Sequence, residues 1–181
     1  MNRYRHLALT LGVALLTIAP VRAQRHHDPL TQLEIDQLRD AMLDPDTRLK
    51  LYVKFTRQRM TNLEQMRNDA KVTDRPRQTH DMLEDFLAVY DELNDNVDMY
   101  VGRKDDIRKP LKQIIEADTE FQAKLRAIKD APVSNPADTK EYDFVLTNAI
   151  ETVDASADDH RKTVQEVEEY MKRKKKTKSD H

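Results

Sequence analysis

Cysteine and tryptophan are absent from this chain of 181 residues, and glycine occurs only twice, at Gly12 and Gly102. Without a thiol there is no disulfide, no thiolate metal site and no thiol redox chemistry, so stability must come from a packed core. Two isolated glycines cannot build a phosphate-cradling loop or a nucleophile elbow. The serines beyond residue 23 (Ser134, Ser156 and Ser179) sit in no nucleophile motif. His-Glu-x-x-His is also missing. Di-iron bundles carry Glu-x-x-His, but Arg77 and Ala157 stand three residues before His80 and His160. A non-catalytic protein is expected.

Long apolar runs are equally scarce. One extends from Leu7 to Ala19, preceded by Arg3 and Arg5 and followed by Val21-Arg22-Ala23. A positive start, a short apolar stretch and a small-x-small site describe a secretory signal peptide over residues 1–23. The run falls short of the roughly 20 residues that span a bilayer, so an integral membrane protein is not expected. Cleavage after Ala23 leaves residues 24–181 and removes Arg3, Arg5 and Arg22, taking the formal charge from −2 to −5. The expected product is exported, periplasmic or secreted, with a mildly acidic balance unlike that of a nucleic-acid binder.

What the sequence does contain is helical periodicity. A single helical domain is expected over residues 24–171, with a basic tail over 172–181. Thr31-x-x-Glu34 is a capping box for a short first helix with apolar positions Leu30, Leu33, Ile35, Leu38 and Met42. Asp44 caps a second helix with Pro45 at its first position, carrying Leu49, Tyr52, Val53, Thr56, Met60, Leu63 and Met66. A third runs on Leu83, Phe86, Tyr90, Leu93, Val97 and Tyr100 up to Gly102. A fourth, capped by Asp105 or Asp106, runs on Ile107, Leu111, Ile114, Asp118, Phe121, Leu125 and Ile128. A fifth, capped by Asn135, runs on Tyr142, Leu146, Ala149, Val153, Ala157, His160, Val164, Val167 and Met171. Short connections between long helices predict an all-α fold, an up-down-up-down four-helix bundle preceded by a short helix. Because the heptad phase of the third helix continues into the fourth, the alternative is an elongated, coiled-coil-like fold in which one long helix spans about 76–130 and kinks at Pro110.

Reflecting residues through the predicted loops places Thr56, Tyr90, Asp118 and Ala149 in one layer. Asp118 is an acid in an apolar seam, and the hydroxyls of Tyr90 and Thr56 could satisfy it. The same reflection sets His160 about eleven residues, or ~16 Å, from the level of Asp118, so no Asp–His dyad is expected. His160 itself reads as a buried or half-buried histidine with a hydrogen-bond partner.

The acidic stretch from Asp91 to Asp105 fails as a calcium loop, since Met99 stands where the obligatory glycine belongs. It reads as the solvated face of a helix. The tail Lys172 to Lys178 suits the negative end of a helix dipole as a frayed terminus, and its functional reading is attraction to an anionic envelope surface.

One metal site is suggested. A new N-terminus at Gln24-Arg25-His26 offers its amine, two backbone amides and the His26 ring, a planar four-nitrogen set suited to Cu(II) or Ni(II).

The segment Leu30 to Met42, LTQLEIDQLRDAM, resembles the LTxxQ stretch of small periplasmic helical chaperones that respond to envelope stress. Glu34 replaces the family's glutamine, and the likeness covers 13 residues. The resemblance implies holding unfolded clients on a charged concave surface. The expected function is therefore surface contact with a protein or anionic envelope partner, chaperone-like in kind, and the alternative is an exported metal-binding protein.

Overall fold

The computed structural model describes residues 28–132 and 136–179. The elements are α1 (Gln32–Asp40), α2 (Pro45–Asn68), α3 (Arg75–Gly102), α4 (Arg108–Asp130), the four-residue α5 (Pro136–Thr139) and α6 (Asp143–Ser179), and no strand occurs among the described residues. The predicted signal peptide, the Gln24, Arg25, His26 chelate and the Asn135 cap lie outside the described residues.

The protein is all-α, and its long helices form a bundle. Cross-helix pairs fix its direction. Arg48–Asn96, Tyr52–Glu92 and Arg67–Thr79 run α2 antiparallel to α3. Asp46–Lys109, Arg57–Glu120 and Glu64–Lys124 run α2 parallel to α4. Gln122–Asp154 and Lys112–Glu168 run α4 antiparallel to α6. The order is therefore up-down-up-down. α2 lies against α3 and α4, while α6 lies against α4 and α3, so the consecutive helices α3 and α4 occupy opposite corners.

The long kinked helix does not form. α3 ends at Gly102, and the next turn is closed by Lys104 N–H to Val101 O (2.9 Å) and Asp105 N–H to Tyr100 O (3.0 Å). These are the two bonds of a Schellman motif, in which the left-handed residue ends the helix. That residue is Lys104, at φ 62°, whereas Gly102 is still helical. Pro110 sits in the first turn of α4, where its missing N–H breaks no helical bond. The N-cap of α4 is Ile107, whose side chain is in the core, in place of the expected Asp105 or Asp106. Asp106 instead accepts from Arg108 at 2.7 Å.

The seams of α2, α3 and α4 are buried as the periodicity predicts, and Phe86, Tyr90 and Phe121 pack ring to ring at their centre. α1 departs from its predicted face. It buries Glu34, Leu38 and Ala41, and leaves Leu33 (67% exposed) and Met42 (59%) outside. The cause is Arg59 on α2, whose guanidinium grips both oxygens of Glu34 at 2.8 and 2.6 Å and turns that edge of the helix inward. The expected fifth helix is also divided. α5 is a separate turn, and α6 starts at Asp143, later than a cap at Asn135 would start it.

Candidate functional site

Near the middle of the bundle a chain of polar side chains crosses the apolar core. Asp118 of α4 is wholly buried. Its Oδ1 accepts from the Tyr90 hydroxyl of α3 at 2.8 Å, and its Oδ2 lies 2.9 Å from Nδ1 of His160 on α6. A carboxylate accepts both bonds when His160 carries a proton on Nδ1, which sets the tautomer. Burial first, and then the charge of Asp118, push the Tyr90 hydroxyl far above its ordinary range, so it stays a donor. The Ser156 hydroxyl lies beside Tyr90 and accepts from Asn94 Nδ2 at 3.0 Å, which carries the network out to the α3–α6 surface.

The sequence places Tyr90 beside Asp118, and the structure does so too. It corrects the rest of that layer. Thr56 is buried, but its hydroxyl donates to Tyr52 O at 2.9 Å and does not serve Asp118. His160, rather than Ala149, faces the carboxylate, and the Asp–His dyad that the loop reflection excluded is present. The reflection through the first two connections holds, but the pairing of Asp118 with His160 puts the α4–α6 midpoint near residue 139 rather than 133.5. The late start of α6 shifts the register of the whole helix. The expectation that His160 is a buried histidine with a hydrogen-bond partner agrees with the structure, at 4% exposure.

The network ends at an open cleft of about 350 Å³ between α3 and α6, lined among others by Asn94, Asp98, Ser156, Asp159 and His160. With Nδ1 engaged by Asp118, Nε2 is the remaining ring nitrogen of His160, a residue that lines the cleft. Asn94 Oδ1 is buried and has no hydrogen-bond partner. Such an orphan acceptor calls for an explanation. Asp98 and Asp159 are exposed.

A different group, His80, Asp81 and Glu84, brings its ligand atoms within 4.8 Å of one another. All three lie on the first turns of α3, with Nδ1 of His80 3.3 Å from Asp81 and Nε2 3.8 Å from Glu84. Each nitrogen already faces a carboxylate, which is an ordinary surface arrangement. The acidic stretch from Asp91 is helical, with Asp91, Glu92, Asp95 and Asp98 exposed, as the solvated-face reading requires.

Sequence reasoning missed the ion pair that fastens α1. Glu34 and Arg59 are each nearly enclosed, and Arg59 also donates to Pro29 O. Arg48 fixes the other end of α1 by donating to Leu38 O at 2.6 Å and Asn96 Oδ1 at 3.0 Å. The available signal was Glu34 itself, a capping-box acid set between the apolar positions Leu33 and Ile35. The capping box is present, with Thr31 N–H donating to Glu34 Oε2 at 2.8 Å.

Fold and site together define an all-α helical bundle with a buried polar network opening on one groove. No protein-family model, curated protein or solved structure matches the chain. The likeness of Leu30 to Met42 to the periplasmic chaperones therefore rests on those residues alone. No described helix is long and apolar enough to cross a membrane.

Proposed function

We propose that the protein is an exported, non-catalytic bundle that acts by surface contact, holding a protein partner against α1 in a chaperone-like way. The observation that carries this reading is the outward placement of Leu33, Met42 and Leu43, which are 67, 59 and 89% exposed on α1 and the turn that follows it. Single exposed apolar residues are common on any surface. Three within eleven residues, on α1 and the turn after it, are what this reading offers to an apolar partner. Charged residues Asp36, Arg39 and Asp40 lie among them, which suits reversible holding of an apolar segment better than a permanent interface. The basic end of α6 supports a second contact, with an anionic envelope surface, because Lys172 to Lys176 are all exposed. The copper or nickel chelate at Gln24, Arg25 and His26 belongs to the alternative reading, and Cu(II) titration of the exported form against His26→Ala tests it.

The test of client holding is suppression of aggregation. A chemically unfolded client is diluted into buffer with the protein while light scattering is followed. The parent slows scattering, and Leu33→Ser/Met42→Ser/Leu43→Ser loses the effect at unchanged melting temperature. Equal protection by the triple variant, or none by the parent, removes the reading.

A further inference from the structure

We propose that the α3–α6 cleft is a site for a divalent first-row metal ion of the zinc type, held by His160 Nε2 with oxygen ligands from Asn94 and the carboxylates of Asp98 and Asp159. Three independent observations meet there. The first is the dyad. Histidines that bind metals commonly donate their other ring N–H to a carboxylate, which fixes the tautomer and raises the basicity of the ligating nitrogen. Asp118 does this for His160 at 2.9 Å, from inside the core. Tyr90 O–H at 2.8 Å occupies the other carboxylate oxygen, so Asp118 is committed to orienting the ring.

The second is the orphaned Asn94 Oδ1, buried in a residue that lines the same cleft. Its amide is held in place through the Nδ2 donation to Ser156, so the oxygen has a fixed direction and no protein donor. The third is uncompensated charge. Asp98 and Asp159 both line the cleft, and neither has an ion-pair partner among the described residues. A cation between them would relieve both.

Helix geometry supports the grouping. Asn94 and Asp98 are four residues apart on α3, and Ser156 and His160 are four apart on α6, so each pair occupies one face one turn apart. The carboxylate atoms do not lie within 4.8 Å of the ring as a set. Both are exposed surface side chains, so coordination draws them in by rotation about their own bonds. One imidazole with oxygen donors suits Zn(II), Co(II) or Mn(II) better than the planar four-nitrogen preference of Cu(II). The proposal is independent of client holding by α1.

Co(II) titration of the full exported chain, followed by its visible d–d absorption and then by displacement with Zn(II), tests the site. The expected result is one equivalent bound by the parent. Asp118→Asn should weaken binding about 10–100-fold, the usual cost of losing such a supporting carboxylate. His160→Gln abolishes it, and His80→Ala and His26→Ala leave it unchanged. Should His160→Gln lose its helical content, the double variant Asp98→Asn/Asp159→Asn decides, because those side chains are exposed and the fold does not use them. Weakened binding by the double variant supports the site. Absence of binding by the parent, loss of binding with His80→Ala, or parent-like binding by the double variant overturns it.

Discussion

A carboxylate wholly removed from water, as at Asp118, survives only with donors on its oxygens, and Tyr90 and His160 supply one each from different helices. Removing one donor leaves a buried acceptor short, and hydrogen bonds to charged groups contribute about 1.5–3 kcal/mol. Tyr90→Phe is therefore expected to destabilise by roughly 2 kcal/mol in urea denaturation. Tyr100 makes the opposite case. It is 1% exposed and its hydroxyl is buried without a hydrogen-bond partner. Tyr100→Phe keeps the ring and removes the orphan, so it should be neutral or stabilising by up to ~1 kcal/mol. The pair of tyrosines separates burial from hydrogen bonding, since both rings occupy the core. A large loss from Tyr100→Phe would mean that the hydroxyl has a partner after all. The sequence exposes half of this chemistry: an acid in an apolar seam is visible, and Tyr90 follows from a short loop. His160 does not follow, because its level depends on where α6 begins.

At the scale of elements, α1 is a nine-residue helix fastened to the bundle by two arginines and the buried Leu38. Burial alone would raise the Glu34 carboxyl, but the Arg59 guanidinium and the Thr31 N–H outweigh it and hold the carboxyl below its ordinary value. The unfolded chain then binds the proton more readily than the folded one. The stabilisation is present in full above the unfolded value of ~4.3, and is lost as pH falls through the lower folded value. Amide exchange in α1 should accelerate in that acid window while α3 stays protected, as expected of local opening. At neutral pH Glu34→Gln should produce the same loss selectively, by about tenfold, equivalent to ~1.4 kcal/mol. The α3–α4 turn yields a second expectation. Lys104 is in the left-handed region, which costs a side-chain-bearing residue roughly 1–2 kcal/mol, and glycine avoids that cost. Lys104→Gly should raise the melting temperature by about 2–4 °C for each kcal/mol recovered. A Cβ at Gly102 meets nothing within 4 Å, so Gly102→Ala should stabilise by about 0.5–1 kcal/mol. The sequence marks the break with Gly102, its one glycine after Gly12, yet the turn itself is made by a lysine two residues on.

For the whole molecule, the legible part is whatever depends on local spacing. Leu49 to Met66, Leu83 to Tyr100 and Ile107 to Ile128 repeat in threes and fours, and all their seam positions are buried. What escaped the sequence is long-range: Arg59 reaching Glu34 from 25 residues away, and α4 meeting α6 across a connection whose short α5 does not extend the helix. The tail shows the same division. The sequence reads it as a helix end, and it forms the last turns of α6, which is helical to Ser179. Helicity there does not make it part of the core. Lys172 to Thr177 are exposed, and their contacts include a 3.9 Å Arg173–Glu169 pair, a Thr177 hydroxyl donated to Arg173 O at 3.2 Å and Lys174 5.9 Å above the Tyr170 ring. Exposed ion pairs contribute about 0–1 kcal/mol and exposed cation–π contacts about 0.5–1. Deleting Arg173 to His181 should therefore shift the melting temperature by no more than about 2–4 °C. Attraction to anionic vesicles should disappear with the deletion. In the full chain it should fall as added salt shortens the screening length from ~8 Å near physiological strength to ~3 Å at 1 M. Binding that survives either the deletion or the salt would assign the contact to another face of the bundle.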